Sequence, residues 1–229
     1  MTTLVGIKSE REKPSVILGS DMSVTRTSWQ ARGDVAYKEQ KRSDSQKIYA
    51  NDSRTAAIGM SGIYDNPYIQ FLSDFLNDKF DLEKVTCDGF FPEFADLNLG
   101  RWDGRNPTDD WNTLLLATRF NGPKLYTCWP LGKIEKKKFT SIGSGQEYAQ
   151  NYILGQGKPI PKRISTEEGI DIVVKALENA SQDIYTQGLD LVVLTEEGIH
   201  ELGKGIRDEV ESARIRAIQK VKRKISKVS

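Results

Sequence analysis

Residues 2–21 read TTLVGIKSEREKPSVILGSD, in which two apolar runs flank a charged segment. The first run ends near Ile7, and the second extends from Ser15 to Asp21. Apolar runs of this length on either side of a polar, proline-containing turn are typical of paired strands. The sequence therefore predicts a β-hairpin at the start of the chain.

Further strands and helices follow in separate groups along the chain. Short β runs are predicted over residues 47–50, 55–60, 113–118, 124–129, 139–143, 189–194 and 199–202. Helical periodicity and capping residues predict helices that begin near Pro67, Gln146 and Ser165. Grouped hairpins and helices favour an α+β fold over an alternating βαβ sheet.

Two segments interrupt this pattern. Residues 24–46 are polar and mixed, and residues 86–112 are rich in glycine and proline and contain Trp102 and Trp111. We interpret the second segment as a loop-rich insertion whose aromatic side chains pack onto the body of the protein.

The composition excludes several classes of protein. The 229 residues carry 33 basic and 32 acidic side chains, so no overall charge favours a nucleic-acid partner. The two cysteines lack metal-ligand spacing, and the single histidine, His200, lies where a turn runs into a short strand, a place where we expect a solvated side chain. No apolar run is long enough for a membrane span. We expect a cytoplasmic protein with no cofactor and no metal.

The C-terminal segment differs from the rest of the chain. Residues 204–229 contain nine basic and three acidic residues, and their apolar residues recur at helical spacing. We predict one domain over residues 1–203 and a basic helical tail over 204–229 that is solvated or docks onto a partner.

Six short segments occur in a fixed order and can be considered together. They are TTLVGI at 2–7, GSD at 19–21, QKIY at 46–49, MSGI at 60–63, IGSGQEYA at 142–149 and DIYTQG at 183–188. Each segment alone has an ordinary structural explanation, such as the capping turn that GSG would form before a helix. Their joint occurrence in one order is far more specific than any single segment.

Together the six segments resemble the proteasome β-type family of N-terminal-nucleophile hydrolases, which includes the HslV-type bacterial peptidase. The resemblance covers residues 2 to about 202. It implies a four-layer αββα sandwich, here with a helical C-terminal extension. It also implies self-association into rings, polypeptide substrates, and α-type subunits or an ATP-dependent unfoldase as partners.

The resemblance implies a role for seven residues. Thr2 is the nucleophile once Met1 is removed, Lys47 and Asp21 form an ion pair beside it, and the N–H of Gly62 stabilises the oxyanion. The remaining three, which support the amine and the proton path, are Ser144, Asp183 and Thr186. The chemistry needs no histidine, because a free α-amine with a pKa of roughly 7.7–8.0 can itself act as the base.

The chain also departs from the family pattern. The spacing of 26 positions between Asp21 and Lys47 implies an insertion that contains Trp29, Arg32 and Tyr37. The family's second long helix is not predicted over residues 86–110. The absence of an extension before the first strand favours the catalytic β type over the α type.

Two other functions remain open on the sequence alone. The acyl-enzyme could be passed to an amine, or formed from a small amide, which would make the protein a transpeptidase or an amidohydrolase. Alternatively, the protein could be a non-catalytic ring subunit that docks through its basic tail.

Overall fold

A computed structural model describes most of the chain. The described residues are 2–11, 13–21, 23–32, 35–44, 47–62, 66–84, 89–100, 112–130, 132–155, 163–181 and 189–202. They contain the predicted N-terminal hairpin, in which β1 (Thr3–Ser9) pairs antiparallel with β2 (Ser15–Ser20).

Two five-stranded sheets form the centre of the fold. Sheet I has the order β10-β1-β2-β11-β12, and its remaining strands are β10 (Phe139–Gly143), β11 (Asp190–Thr195) and β12 (Ile199–Glu201). Sheet II has the order β5-β6-β7-β8-β9 and consists of β5 (Ile48–Ala50), β6 (Ala56–Ser61), β7 (Thr113–Thr118), β8 (Lys124–Cys128) and β9 (Ile134–Lys137). Neighbouring strands within each sheet are antiparallel.

Alternating side chains on each strand explain how the sheets pack. In β1, Leu4 faces the core between the two sheets, whereas Val5 packs with α3 (Gln146–Gly155) and α4 (Thr166–Ala180). In β7, Leu115 faces the other sheet and Leu116 faces outward. Strands buried on both faces in this way need a layer of helices on each side.

The other outer layer consists of α1 (Asn66–Leu76) and α2 (Phe90–Leu99). Their phenylalanines, among them Phe71 and Phe90 with ring centroids 5.1 Å apart, cover the outer face of sheet II. The layers are therefore helix, sheet, sheet and helix, which confirms the predicted four-layer α+β sandwich.

The predicted start of α4 is confirmed in atomic detail. The Ser165 hydroxyl accepts a hydrogen bond from the Glu168 N–H at 3.1 Å, and the Glu168 carboxylate accepts one from the Ser165 N–H at 2.7 Å. This reciprocal arrangement satisfies donors that a helix terminus otherwise leaves without partners.

The prediction of a loop-rich insertion over residues 86–112 is wrong for its middle part. Residues Phe90–Leu99 form α2, with Phe90, Phe91 and Phe94 buried against sheet II. Pro92 lies in the first helical turn, where the missing N–H has no helical acceptor and the ring does not break the helix. Trp102 and Trp111 lie outside the described residues.

Two further strand regions were not predicted. Residues 134–137, with the sequence IEKK, form the edge strand β9, whose three charged residues hide the β pattern. The insertion that contains Trp29, Arg32 and Tyr37 forms a separate hairpin of β3 (Ser23–Arg32) and β4 (Val35–Asp44).

Further sequence predictions concern the histidine and the C-terminal part of the chain. His200 is exposed, as predicted. Asp183, Thr186 and the basic tail over residues 204–229 lie outside the described residues, so the predicted domain boundary stays a prediction. Within the described ranges, no helix combines the length and apolar character that a membrane crossing requires.

Substitution of Gly19 should destabilise the fold. A Cβ there would overlap the Val173 side chain and lie 2.9 Å from Leu177 Cδ1, so β2 and α4 could no longer pack at their present distance. We expect Gly19→Ala to lower the free energy of unfolding by about 1–3 kcal/mol. Urea-induced unfolding at one fixed protein concentration measures the change.

Gly198→Ala is the matched control, because a Cβ at Gly198 has no neighbour within 4 Å. We expect its effect to stay within about 0.5 kcal/mol. Equal effects of the two substitutions would contradict the close packing of β2 on α4.

Candidate active site

Thr2 lies where the ends of the two sheets meet. It is buried, with 5% of its surface exposed, and it directly precedes β1. Its carbonyl oxygen accepts hydrogen bonds from the Ser144 N–H at 3.1 Å and from the Ser61 hydroxyl at 3.3 Å. Ser61 ends β6 in sheet II and Ser144 follows β10 in sheet I, so Thr2 is held by both sheets.

Two positions close to Thr2 require glycine. Gly143 has φ +97°, and a Cβ there would overlap the carbonyl oxygen of Thr2. Gly62 has φ +135°, and a Cβ there would overlap the side chain of the buried Asn112. These positive φ values and the lack of space require glycine at both positions.

Asp21 holds the residue that follows Thr2. The Asp21 N–H donates to the Thr3 carbonyl at 3.1 Å, and the Asp21 Oδ1 accepts from the Thr3 N–H at 2.5 Å. The Thr3 hydroxyl in turn accepts from the Gly145 N–H at 2.9 Å. The backbone on the C-terminal side of Thr2 is therefore fixed from the ends of β2 and β10.

Lys47 completes the group that surrounds this segment. Its Nζ donates to Asp21 Oδ2 at 2.7 Å, and the exposed fractions of the Lys47 and Asp21 side chains are 2% and 0%. Burial lowers the pKa of the Lys47 ammonium group, and attraction to the Asp21 carboxylate opposes that shift without cancelling it. Removal of either partner would leave a charged group in a site without solvent.

The structure brings together most of the residues that the sequence singled out. Asp21 contacts both Lys47 and Thr3, and Ser144 contacts Thr2 through its backbone while its side chain is exposed. Gly62 directly follows Ser61, which contacts Thr2. The predicted chemical roles of these residues stay predictions.

Sequence reasoning missed three residues of the site. They are the donor Ser61, Gly143, which makes room for the Thr2 carbonyl, and Thr3, through which Asp21 and Gly145 hold the chain. Ser61 and Gly143 lie within the segments MSGI and IGSGQEYA, but a contact to a backbone carbonyl leaves no sequence signal. Among the described residues, no group of three or more His, Cys, Asp or Glu side chains could hold a metal ion.

Comparison with known proteins gives matches to proteasome β subunits. Proteasome subunit beta 1 of Thermococcus onnurineus is 37% identical over 100 residues, which are 43% of this chain and 46% of that protein. Proteasome subunit beta of Methanosarcina mazei is 32% identical over 97 residues, which are 41% of this chain and 43% of that protein. The chain thus matches these relatives over about half of their length.

A family model matches a much longer part of the chain. The model of the proteasome subunit family matches residues 2–194, which include both sheets up to β11 and every residue of the site described above. The matched segment begins at Thr2 itself, at the end of β1 that Asp21 and Ser144 hold in place. The chain therefore belongs to the proteasome subunit family.

Proposed function

We propose that the protein is a threonine-type endopeptidase that hydrolyses peptide bonds of unfolded polypeptides. Its nucleophile is the hydroxyl of Thr2, which becomes the first residue when Met1 is removed. The observation that carries the proposal is the buried ion pair of Lys47 and Asp21, 2.7 Å apart, which holds the N–H of Thr3 beside the nucleophile. Family membership supports the same reaction.

The base in this mechanism is the α-amine of Thr2. A threonine hydroxyl is a weak nucleophile until a base removes its proton, and an α-amine with a pKa of roughly 7.7–8.0 is partly neutral near pH 7. The Lys47 ammonium group lowers the pKa of this amine, because two positive charges close together are unfavourable. Asp21 keeps Lys47 in place through the contact at 2.7 Å.

The reaction then proceeds in two stages. The Thr2 oxygen attacks the peptide carbonyl while the amine takes up the hydroxyl proton, and the Gly62 N–H stabilises the resulting oxyanion. The C–N bond breaks, the leaving amine receives the proton, and an ester on Thr2 remains. Water, oriented by Ser144, Asp183 and Thr186, gives a proton to the amine and attacks the ester. The acyl group leaves as a carboxylic acid, and the proton returns to the Thr2 oxygen, which regenerates the free hydroxyl and the neutral amine.

The protein acts as part of a ring in this proposal. Several copies associate and enclose the Thr2 sites in a chamber, which α-type subunits or an ATP-dependent unfoldase supply with unfolded chains. The support is membership of the proteasome subunit family and similarity to proteasome β subunits of archaea.

Substitution of Thr2 tests the nucleophile. Thr2→Ala keeps a small residue, so Met1 is still removed, but it removes the hydroxyl. We expect peptide hydrolysis to fall by at least about 1,000-fold. Intact-protein mass spectrometry with an electrophilic covalent peptide probe should show one adduct on a wild-type chain that begins at Thr2, and none on Thr2→Ala.

Thr2→Ser is the matched control, since it keeps both the hydroxyl and Met1 removal, and it should retain labelling. An intact Met1 in the native protein, or equal labelling of Thr2→Ala, would refute the mechanism.

Addition of an acceptor amine to the peptide assay separates hydrolysis from transfer, because only transfer yields a new amide product.

Removal of the Lys47 charge tests whether that charge lowers the pKa of the Thr2 amine. Without the ammonium group the pKa of the Thr2 amine rises, and the amine must be neutral to act as the base. The acid limb of the kcat/KM profile should therefore move to higher pH, by roughly one unit in Lys47→Met.

The double variant Lys47→Met/Asp21→Asn guards against misfolding, because it leaves no unpaired charge buried. Circular dichroism should show that it is folded, and its acid limb should move in the same direction. If the acid limb of the kcat/KM profile stays at the pH of the wild type in both variants, Lys47 is not the group that lowers the pKa of the Thr2 amine.

Native mass spectrometry tests the ring. We expect particles of many chains, each of about 25.8 kDa before Met1 removal. A protein that remains monomeric at micromolar concentration, with and without candidate α-type subunits, would contradict ring formation.

A further inference from the structure

Asp190 is a buried acidic residue to which the mechanism above gives no role. It begins β11, has 7% of its surface exposed, and lies directly opposite Ser20 of β2. Ser20 precedes Asp21, so the backbone of Asp190 lies one register position from the residue that pairs with Lys47. A carboxylate is rarely buried without groups that stabilise its charge.

Backbone amides supply that stabilisation. The Asp190 Oδ2 accepts hydrogen bonds from the N–H groups of Lys47 and Ile48, each at 3.3 Å. In the described part of the chain no basic side chain forms a salt bridge with Asp190. One oxygen of a side chain in sheet I therefore holds two consecutive amides at the start of β5 in sheet II.

Two ionisable side chains, those of Glu201 and Tyr49, lie near Asp190. Burial raises the pKa of Asp190, the nearby Glu201 carboxylate adds to the rise, and the amides of Lys47 and Ile48 oppose it. The pKa of the Tyr49 phenol is raised by burial and by the charge of Asp190. The carboxylate is thus poorly solvated, and its hydrogen bonds to the two amides matter correspondingly more.

These contacts fix the position of the backbone from which the Lys47 side chain extends. β5 is only three residues long, and Lys47 directly precedes it. From there the side chain of Lys47 crosses the interface between the sheets, and its Nζ lies 2.7 Å from Asp21 Oδ2. A backbone shift of about 1 Å at Lys47 would break that ion pair or change its geometry.

We propose that Asp190 is a positioning residue, which fixes the Lys47 backbone so that the ammonium group reaches Asp21 beside Thr2. This inference rests on the proposed function for its catalytic consequence. Its structural part, that Asp190 holds the two amides, stands independently of any activity.

The proposal predicts which property of Asp190 matters. A single oxygen accepts both hydrogen bonds, so a neutral amide oxygen can replace it. Asp190→Asn should retain the function, whereas Asp190→Leu, which is similar in size but has no acceptor, should lose it. Ser20→Ala is the matched control, because Ser20 is also buried, on the opposing strand, and its hydroxyl has no hydrogen-bond partner among the described residues.

The first measurement is amide hydrogen exchange at Lys47 and Ile48, resolved to single residues by mass spectrometry. Loss of a buried hydrogen bond of ordinary strength should speed exchange about ten-fold in Asp190→Leu. Exchange in Asp190→Asn and Ser20→Ala should stay near that of the wild type. Unchanged exchange in Asp190→Leu would overturn the proposal.

The second measurement is the pH dependence of Thr2 labelling by the covalent probe. For Asp190→Leu we expect labelling at pH 7 to slow about ten-fold and the acid limb to move to higher pH, as for Lys47→Met. Asp190→Asn should stay within about three-fold of wild type, with an unshifted limb. A slower rate with an unshifted limb in Asp190→Leu, or an equal loss in Asp190→Asn, would overturn the positioning role.

The two measurements also separate this proposal from the proposed function. If the wild type is never labelled on Thr2, the peptidase mechanism fails. The exchange rates at Lys47 and Ile48 then still decide whether Asp190 holds the start of β5. If the wild type is labelled and both Asp190 variants behave like Ser20→Ala, only the Asp190 proposal fails.

Discussion

The site depends on one buried interaction, the ion pair between Lys47 and Asp21. Two charges taken out of water gain little net stability from each other, and a hydrophobic pair of the same size is often at least as stable. The pair is therefore better explained by what it positions. Asp21 uses its second carboxylate oxygen to hold the Thr3 N–H, and this contact fixes the backbone beside Thr2.

The sandwich is what makes such a pair possible. Lys47 enters from sheet II and Asp21 from the end of β2 in sheet I, while apolar side chains such as Leu4 and Leu115 exclude water between the sheets. In a low-dielectric environment each hydrogen bond and charge has a larger effect than at a surface. The same burial lowers the pKa of the Lys47 ammonium group and strengthens its attraction to the Asp21 carboxylate.

The carbonyl side of Thr2 is held by a different set of contacts, from the Ser144 N–H and the Ser61 hydroxyl. The segment around Thr2 and Thr3 is consequently fixed from the ends of β2, β6 and β10. Glycine at position 143 is a condition of this arrangement, because any side chain there would displace the Thr2 carbonyl. Preorganisation of this kind is what the proposed attack by the weak Thr2 nucleophile requires, since no reordering is then needed at the moment of attack.

The sequence by itself determined the strands with clear apolar runs, the capped start of α4 and the grouping of elements, because these depend on local composition and periodicity and on hydrogen bonds a few residues apart. The resemblance carried by the ordered segments also implied an ion pair of Asp21 and Lys47, and the structure places the two groups 2.7 Å apart. The tertiary structure alone decided that Phe90–Leu99 is a helix, since burial of its phenylalanines against sheet II outweighs the glycine and proline around it. It also decided the contacts of Ser61 and Asp190, because a hydrogen bond to the backbone of a residue 59 or 143 positions away has no signature in either local sequence.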